Sequence, residues 1–243
     1  MNKFVLQDSL YQFPYHYLPH FEEPGLPRIG RVLGWGVEYL TYMTIVKETV
    51  KRLPGQSILD IGCGDGFLLN WLEKTDKSKL GVDVSERPIR FAQAFATDAE
   101  FQVMDIFHMT HKYDVVVLTE VLEHIPDQHI VPFVEQAKEL VARGGHLVVT
   151  VPTTVVRLNE KHFRHYDEEL LDAHFGTNND WVVVEQHRLY RHSKSLRRLL
   201  RFLHNKVWTI NSARVWRRFW RWHFAKNTYA TTENGGHLMR VYR

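Results

Sequence analysis

The stretch from Ser57 to Gly66, S-I-L-D-I-G-C-G-D-G, constrains the fold of this 243-residue chain more than any other. A short apolar run ends at Asp60, and three glycines at spacing two precede a helical pattern that starts at Phe67. This order predicts a strand, a tight turn and a helix N-terminus. Glycine tolerates positive φ and has no Cβ, so we expect such a turn to let a ligand approach and to direct the free N–H groups of the helix N-terminus at it. The three glycines are Gly62, Gly64 and Gly66.

Three later strand patterns also end in, or just before, an acidic residue. Asp83 closes an apolar run about twenty residues after the first one, the spacing at which a Rossmann-like unit places a carboxylate on a ribose. Asp105 closes the next run. The fourth, Tyr113–Leu118, is continuously apolar like a strand buried on both faces, and it leads into T-E-V-L-E-H-I-P. Together these runs indicate a nucleotide-type site.

Predicted helices alternate with predicted strands along the chain. This alternation predicts an α/β fold with a Rossmann-like, doubly wound, seven-stranded and mostly parallel sheet that binds its ligand at the carboxyl ends of the strands. We predict helices over residues 36–52, 87–97, 130–142 and 168–174. The remaining strands are predicted over residues 146–151, 181–187 and 237–242.

Composition divides the chain further. Aromatic and proline residues crowd the N-terminus, which is poor material for regular structure but suits an arm packed by its own rings. We therefore expect one α/β domain with additions. The expected parts are an N-terminal arm or lid with a helix, the core, a basic aromatic helical insertion and a final core strand, over residues 1–52, 53–190, 191–235 and 236–243.

The blocks L-D-I-G-C-G-D-G and E-V-L-E-H-I resemble those of class I S-adenosylmethionine-dependent methyltransferases of the small-molecule type. The resemblance covers about Leu53 to Gly176. It implies S-adenosylmethionine as cofactor, an N-terminal lid and a last strand that enters antiparallel. It also implies that the glycines contact the methionine part, Asp83 the ribose and Asp105 the adenine. The full set of expected cofactor residues is Asp60, Gly62, Gly64, Asp65, Gly66, Asp83, Val84, Asp105, Ile106 and Glu120.

The expected reaction centre follows the fourth strand, where a helix would bring Glu120, Glu123 and His124 to one face. Three interpretations remain open. Glu120 and His124 contact cofactor and substrate, with His124 as general base. Alternatively, the three residues and a later histidine hold a divalent metal that acidifies a hydroxyl. In the third, Glu123 is an acid at a helix N-terminus and His124 a packed ring.

A resemblance supplies the later histidine. The E-x-x-E-H motif with a downstream histidine is similar to the metal site of small-RNA terminal 2′-O-methyltransferases and ubiquinone-biosynthesis O-methyltransferases, which implies His162 as fourth ligand and as a catalytic residue. We therefore expect O-methylation of a small molecule, a glycan or a lipid-linked precursor. Metal-assisted RNA 2′-O-methylation and an inactive cofactor-binding scaffold are the alternatives. An NAD-binding protein is disfavoured because the turn reads G-x-G-x-G, not G-x-G-x-x-G.

Twelve of the 31 Lys and Arg residues lie between Gln186 and Thr232, a stretch without Asp or Glu. Leucine and tryptophan recur there at helical spacing, with Ser193 or Ser195 and then Ser212 as caps. Three interpretations stay open for residues 191–226: an amphipathic pair packed on the domain or a dimer contact, binding to an anionic membrane or phosphorylated lipid, and nucleic-acid binding.

Compartment is indicated by two weaker features. Cys63 is the single cysteine, which excludes a disulfide within the chain and fits a reducing compartment. The N-terminus lacks the apolar stretch of a signal peptide. We expect a cytoplasmic protein, peripheral to the membrane if the basic segment binds lipid.

Overall fold

A computed structural model describes Lys3 and residues 20–23, 25–28, 33–72, 75–96, 98–176, 181–205, 208, 210 and 212–243. Of the predicted N-terminal part, residues 1–52, the described portions are Lys3, a small hairpin of β1 (His20–Glu23) and β2 (Leu26–Arg28), and the long helix α1 (Leu33–Arg52). The rest of the predicted lid lies outside the described residues. Among the described helices, none combines the length and apolar character that a bilayer crossing requires.

Seven strands within the described residues form the main sheet. They are β3 (Ser57–Ile61), β4 (Ser78–Asp83), β5 (Glu100–Val103), β6 (Tyr113–Thr119), β7 (Val141–Pro152), β8 (Val183–Arg191) and β9 (Gly235–Tyr242). The spatial order is β5-β4-β3-β6-β7-β9-β8. The first five strands in that order are parallel, and β9 runs antiparallel to both β7 and β8. The predicted doubly wound sheet with an antiparallel last strand is confirmed.

Six further helices and two short 3₁₀ turns connect these strands. They are α2 (Phe67–Trp71), α3 (Glu86–Ala94), the 3₁₀ turns Ile106–His108 and Leu122–His124, α4 (Ile130–Glu139), α5 (Glu168–Phe175), α6 (Lys194–Leu203) and α7 (Ala213–Asn227). Buried residues of α4 and α5 pack on one face of the sheet and those of α1, α2 and α3 on the other. The order of β3 and β6 reverses the winding, so the crevice beyond their carboxyl ends is where such sheets bind ligands.

Several predicted boundaries were wrong. The helix predicted to run to residue 142 ends at Glu139, because Val141 already pairs with Tyr113 in the sheet. The pairing shifts register before Val115 meets His146, so the residues between are a bulge in β7 and not a helix stop.

The helix predicted to begin at Glu120 was also wrong. Only the 3₁₀ turn of Leu122–His124 forms there, and Glu120 precedes it with a positive φ of 56°. The i, i+3, i+4 argument therefore does not apply to Glu120.

The basic segment folds as the two helices α6 and α7. Ser193 caps α6 by accepting a hydrogen bond from the Leu196 N–H at 3.0 Å, whereas Ser212 precedes α7 without a side-chain cap bond. The buried stripes of both helices pack against Val37 and Leu40 of α1. One interpretation of the segment, packing on the domain, therefore applies to its buried faces.

Candidate active site

Two cavities meet at the carboxyl ends of β3, β4 and β6. Their volumes are about 320 Å³ and about 190 Å³. Gly62, Glu120 and His124 line both cavities and so mark the junction between them. A ligand that extends from one cavity into the other must pass these three residues.

The glycine turn forms the wall near the junction. Gly62 and Gly66 have φ angles of 69° and 74°, in the left-handed region. A Cβ on Gly62 would lie 2.6 Å from a methyl carbon of Val121, and one on Gly66 would lie 2.5 Å from the Phe101 ring. The predicted glycines are therefore required by backbone conformation and by close packing.

The N–H groups of the turn itself form hydrogen bonds within the fold. The N–H groups of Gly62 and Cys63 both donate to the Val82 carbonyl, at 2.8 and 3.1 Å. The Gly64 N–H donates to Oδ2 of Asp83 at 3.1 Å. The turn thus binds β3 to the end of β4 and orients the Asp83 carboxylate.

The smaller cavity brings together the residues predicted for the nucleoside. Asp83, Val84, Asp105 and Ile106 all line it. Backbone groups hold both carboxylates, because Oδ1 of Asp83 accepts from the Ser85 N–H at 2.9 Å and Oδ1 of Asp105 accepts from the Phe107 N–H at 3.1 Å. Two fixed acceptors beside an apolar wall suit a ribose and a purine.

The larger cavity contains the two other predicted acids, Asp60 and Asp65. Burial raises the pKa of Asp60 to about 8, and the charges of Asp83 and Asp65 add to the shift. Burial also raises the pKa of Asp65, to about 6, against its backbone hydrogen bonds. A cationic ligand in this cavity would offset the cost of ionising these acids.

Three of the four predicted metal residues lie together. Ligand atoms of Glu123, His124 and His162 all lie within 4.8 Å of one another. Nδ1 of His124 lies 3.3 Å from the Lys161 carbonyl oxygen, which only accepts, so Nδ1 donates and Nε2 keeps its lone pair. A neutral imidazole in this tautomer is a metal ligand or a base.

A relay of two histidines fixes the tautomer of His162. Nδ1 of His165 lies 2.9 Å from the Val156 carbonyl and must donate to it, so Nε2 of His165 is an acceptor. Nδ1 of His162 lies 2.8 Å from that Nε2 and must donate in turn. His162 therefore also presents a free Nε2, in the outer-shell arrangement typical of metal-binding histidines.

Electrostatics at this cluster favour neutral histidines. Burial lowers the pKa of His124 to about 4 and that of His162 to about 3, and the nearby Lys161 charge adds to both shifts. Glu123 is 1% exposed, its Oε2 has no hydrogen-bond partner, and burial together with the Glu120 charge raises its pKa well above the usual range. A cation bound between Glu123 and the Nε2 atoms of His124 and His162 would give the buried carboxylate oxygen the partner that it lacks.

Glu120 does not join this cluster. Its Oε2 accepts a hydrogen bond from Nδ1 of His237 at 3.0 Å, and Nε2 of His237 lies 3.1 Å from Oε1 of Glu38. His237 and Glu38 were not predicted as site residues from the sequence. His237 lies 117 positions from Glu120 and 199 positions from Glu38. No local pattern identifies partners so distant.

An aromatic wall was also missed. Trp35, Tyr39 and Tyr42 of α1, with Phe67, line the larger cavity together with the histidines. Trp35 stacks on Tyr39 with ring centroids 5.0 Å apart, and Tyr39 lies 5.2 Å from Phe67. The i, i+4, i+7 spacing of the three α1 aromatics was visible in the sequence and signals one helix face.

The fold and the site define an α/β protein with two joined cavities at the carboxyl ends of its strands, one lined by fixed carboxylates and the other by buried acids and histidines. Comparison with known proteins agrees with this class. The sequence profile of the methyltransferase domain family matches residues 39–203. The chain belongs to that family, and its predicted membership of the class I S-adenosylmethionine-dependent methyltransferases is confirmed.

Curated relatives are similar over part of their length. A ubiquinone biosynthesis O-methyltransferase of Leptothrix cholodnii is 32% identical over 109 residues, which cover 41% of this chain and 46% of that protein. The match thus spans less than half of the relative's length.

Solved structures share the fold over the whole chain at low sequence identity. The N-methyltransferase NodS of Bradyrhizobium japonicum, solved with S-adenosylhomocysteine, has a TM-score of 0.62 at 15% identity and covers 100% of this chain and 98% of its own. The magnesium protoporphyrin IX methyltransferase of Synechocystis has a TM-score of 0.62 at 14% identity, covering 100% and 99%. These likenesses establish the fold.

The buried acids predict a pH-dependent stability of the unliganded protein. Asp60 titrates at its ordinary value of 3.8 when unfolded and at about 8 when folded, so unfolding releases a proton between these values and stability falls as pH rises. The Asp60→Asn variant does not lose stability in this way. Its free energy of unfolding, relative to that of wild type, should therefore increase by up to about 1.4 kcal/mol per pH unit between pH 3.8 and about 8.

Asp65→Asn is the matched control for this measurement, because the folded pKa of Asp65 is about 6. In urea titrations across the pH range, the gain in free energy of unfolding of Asp65→Asn over wild type should level off about two pH units below that of Asp60→Asn. An Asp60→Asn advantage that stays constant with pH would contradict the assignment.

Proposed function

We propose that the protein transfers a methyl group from S-adenosylmethionine to a hydroxyl group of a small, ring-bearing molecule. The observation that carries this proposal is the junction of the two cavities, where Glu120 and His124 meet the glycine turn. When bound, the cofactor supplies an electrophilic methyl group on a positively charged sulfur. Transfer of a methyl group requires mainly that donor and acceptor be aligned and water excluded.

Protein groups suit each part of that cofactor. Asp83 is the proposed acceptor for the ribose hydroxyls and Asp105 for the adenine amino group, with Val84 and Ile106 as the apolar contacts. Asp60 and Asp65, near Gly62, Gly64 and Gly66, provide negative charge for the methionine part. Binding a cation there would stabilise the ionised form of both acids.

The aromatic wall supports an acceptor with a flat ring. Trp35, Tyr39 and Phe67 are at least partly exposed and offer aromatic surface in the larger cavity, which the histidine cluster also lines. An oxygen acceptor gains support from the curated relatives, which are named O-methyltransferases. A phenolic hydroxyl fits both observations.

A divalent metal is part of the proposal. The donor set of Glu123 with Nε2 of His124 and His162 has two nitrogens and one oxygen, which suits zinc or a similar ion with open positions. When bound, such an ion supplies positive charge that acidifies a hydroxyl. The alternative, in which His124 acts alone as a base, leaves the buried Glu123 oxygen and the free Nε2 of His162 unexplained.

Glu120 is proposed to act at the junction and not in the metal site. Its Oε1 is buried without a partner, while Oε2 is held by His237. This leaves one carboxylate oxygen to contact the cofactor or the acceptor at the point of transfer. The same arrangement would serve an RNA ribose hydroxyl, so RNA is the alternative acceptor for the same chemistry.

A peripheral membrane contact is a second proposal, carried by exposed residues of α6, of α7 and of the connection between them. Phe202, Trp208 and Trp222 are 60%, 51% and 46% exposed. Exposed arginines flank them: Arg197, Arg198, Arg201, Arg214, Arg218 and Arg221. Aromatic rings with arginines favour an anionic lipid surface, as would suit a lipid-linked or membrane-dissolved acceptor.

The cofactor assignment predicts that Asp83→Ala abolishes binding of S-adenosylhomocysteine in calorimetry. Loss of the two-hydroxyl contact should weaken affinity by about 100-fold or more. Asp76→Ala, at an exposed position before the same strand, is the control and should bind normally. Unchanged binding in Asp83→Ala would refute the assignment.

The metal proposal predicts that purified protein retains a divalent ion, measured by elemental mass spectrometry. Glu123→Ala and His162→Ala should each lose it, with affinity lowered by about 100-fold or more, whereas the exposed His129→Ala should keep it. Methyl transfer that is indifferent to chelator, with no bound ion, would favour His124 as a base instead.

The membrane proposal predicts that the protein floats with vesicles containing phosphatidylglycerol and not with neutral phosphatidylcholine vesicles. Arg201→Glu/Arg218→Glu should lose about tenfold or more of the bound fraction at low salt. Lys51→Glu/Arg143→Glu reverses two exposed charges elsewhere and should float normally. A salt-sensitive RNA gel shift without flotation would assign the surface to nucleic acid.

A further inference from the structure

His237 lies between two carboxylates at the edge of the larger cavity. Its Nδ1 is 3.0 Å from Oε2 of Glu120 and its Nε2 is 3.1 Å from Oε1 of Glu38. An ionised carboxylate only accepts hydrogen bonds, so both ring nitrogens donate and the ring is an imidazolium. Burial alone would lower the pKa of His237, but the two carboxylates outweigh it and raise that pKa to about 10.

The three groups come from three separate elements. Glu120 follows β6, His237 lies on β9 opposite Pro152 of β7, and Glu38 belongs to α1. Glu38 has a second basic neighbour, since Nε2 of His192 lies 3.3 Å from the same Oε1. The imidazolium therefore connects the sheet to the helix that carries the aromatic wall.

Glu120 has a backbone conformation that needs such support. Its φ of 56° lies in the left-handed region, which is unfavourable for a residue other than glycine. Two contacts hold it there: its N–H donates to the Thr150 carbonyl at 3.0 Å, and its carboxylate accepts from His237. Oε2 is thereby held, while Oε1 is buried without a hydrogen-bond partner in a residue that lines both cavities.

Tyr42 extends the connection into the acceptor cavity. Its ring lies 4.1 Å from the His237 ring, with a 33° tilt between the planes. Glu38, four residues before Tyr42 on α1, contacts His237 through its carboxylate, so the same helix meets the imidazolium at two points. Movement of the imidazolium would therefore change the position of the Glu120 carboxylate and the position of the aromatic wall.

We propose that His237 and Glu38 are positioning residues that hold the Glu120 carboxylate at the junction and align it with the aromatic wall of α1. The proposal rests on the proposed methyl transfer for its functional consequence. Neither residue needs to touch the reacting atoms. Without the imidazolium, two carboxylates would face each other across a buried gap, and Glu120 would turn away from the junction.

The test compares His237→Gln, Glu38→Gln and the double variant with wild type. Transfer is followed with tritiated S-adenosylmethionine and dihydroxybenzoate as acceptor probe. His237→Gln should lower kcat by about 30-fold or more, with affinity for S-adenosylhomocysteine changed by less than about fivefold. Glu38→Gln should lower kcat by several-fold. It is the variant that tests the proposal if His237→Gln folds poorly.

Adding Glu38→Gln to His237→Gln removes one of the two opposed charges, so the double variant should recover about tenfold of the lost kcat. A purely structural role predicts additive losses instead. His187→Gln is the control, because His187 lies on β8 opposite Met239 and bonds Glu185 outside both cavities. Its kcat should stay within about twofold of wild type.

Crystal structures of wild type and the two single variants with S-adenosylhomocysteine separate this proposal from the proposed function. The Glu120 carboxylate should leave the junction in His237→Gln. If wild type transfers no methyl group to the probe, the proposed function fails for that acceptor, and the position of Glu120 alone decides the present proposal. An unmoved Glu120, or a kcat equal to that of wild type, would overturn it.

Discussion

The left-handed turn after β3 is the constraint on which the rest of the site depends. Because Gly62 and Gly66 adopt positive φ without side chains, β3 can end against the Val82 carbonyl and α2 can begin against the Phe101 ring. The same turn donates the Gly64 N–H to Asp83, which fixes the carboxylate at the end of the neighbouring strand. One local bend therefore sets both the floor of the cavities and the orientation of the principal acid.

Charge is distributed unevenly around the junction, and this distribution follows from burial. On the glycine side, Asp60 and Asp65 are ionised only at a cost, and a cation relieves that cost. On the histidine side, burial keeps His124 and His162 neutral, with lone pairs directed into the cavity. The proposed methyl donor is positively charged, whereas the proposed acceptor hydroxyl has to lose a proton. The buried acids suit the donor, and the neutral histidines suit the acceptor.

The sequence was sufficient for the sheet and for the glycine turn because both have local signatures. Apolar runs that end at Asp83 and Asp105 identify two parallel strands. The carboxyl ends of parallel strands lie at the same edge of the sheet, whatever the order of the strands. The helix expected at Glu120 failed because a side-chain bond to His237, on the last strand, stabilises a conformation that helix periodicity cannot anticipate. Histidine tautomers were equally inaccessible, since the carbonyls of Lys161 and Val156 set them through tertiary contacts.

Helix α1 explains why the outer additions and the site form one structure. Val37 and Leu40 pack under the basic helices, whereas Glu38 and Tyr42, on another face of the same helix, contact His237. A rigid helix cannot move one face without the other. The surface proposed to meet the membrane and the wall proposed to hold the acceptor ring are therefore joined by one element, so docking of α6 and α7 would also fix the geometry of the acceptor cavity.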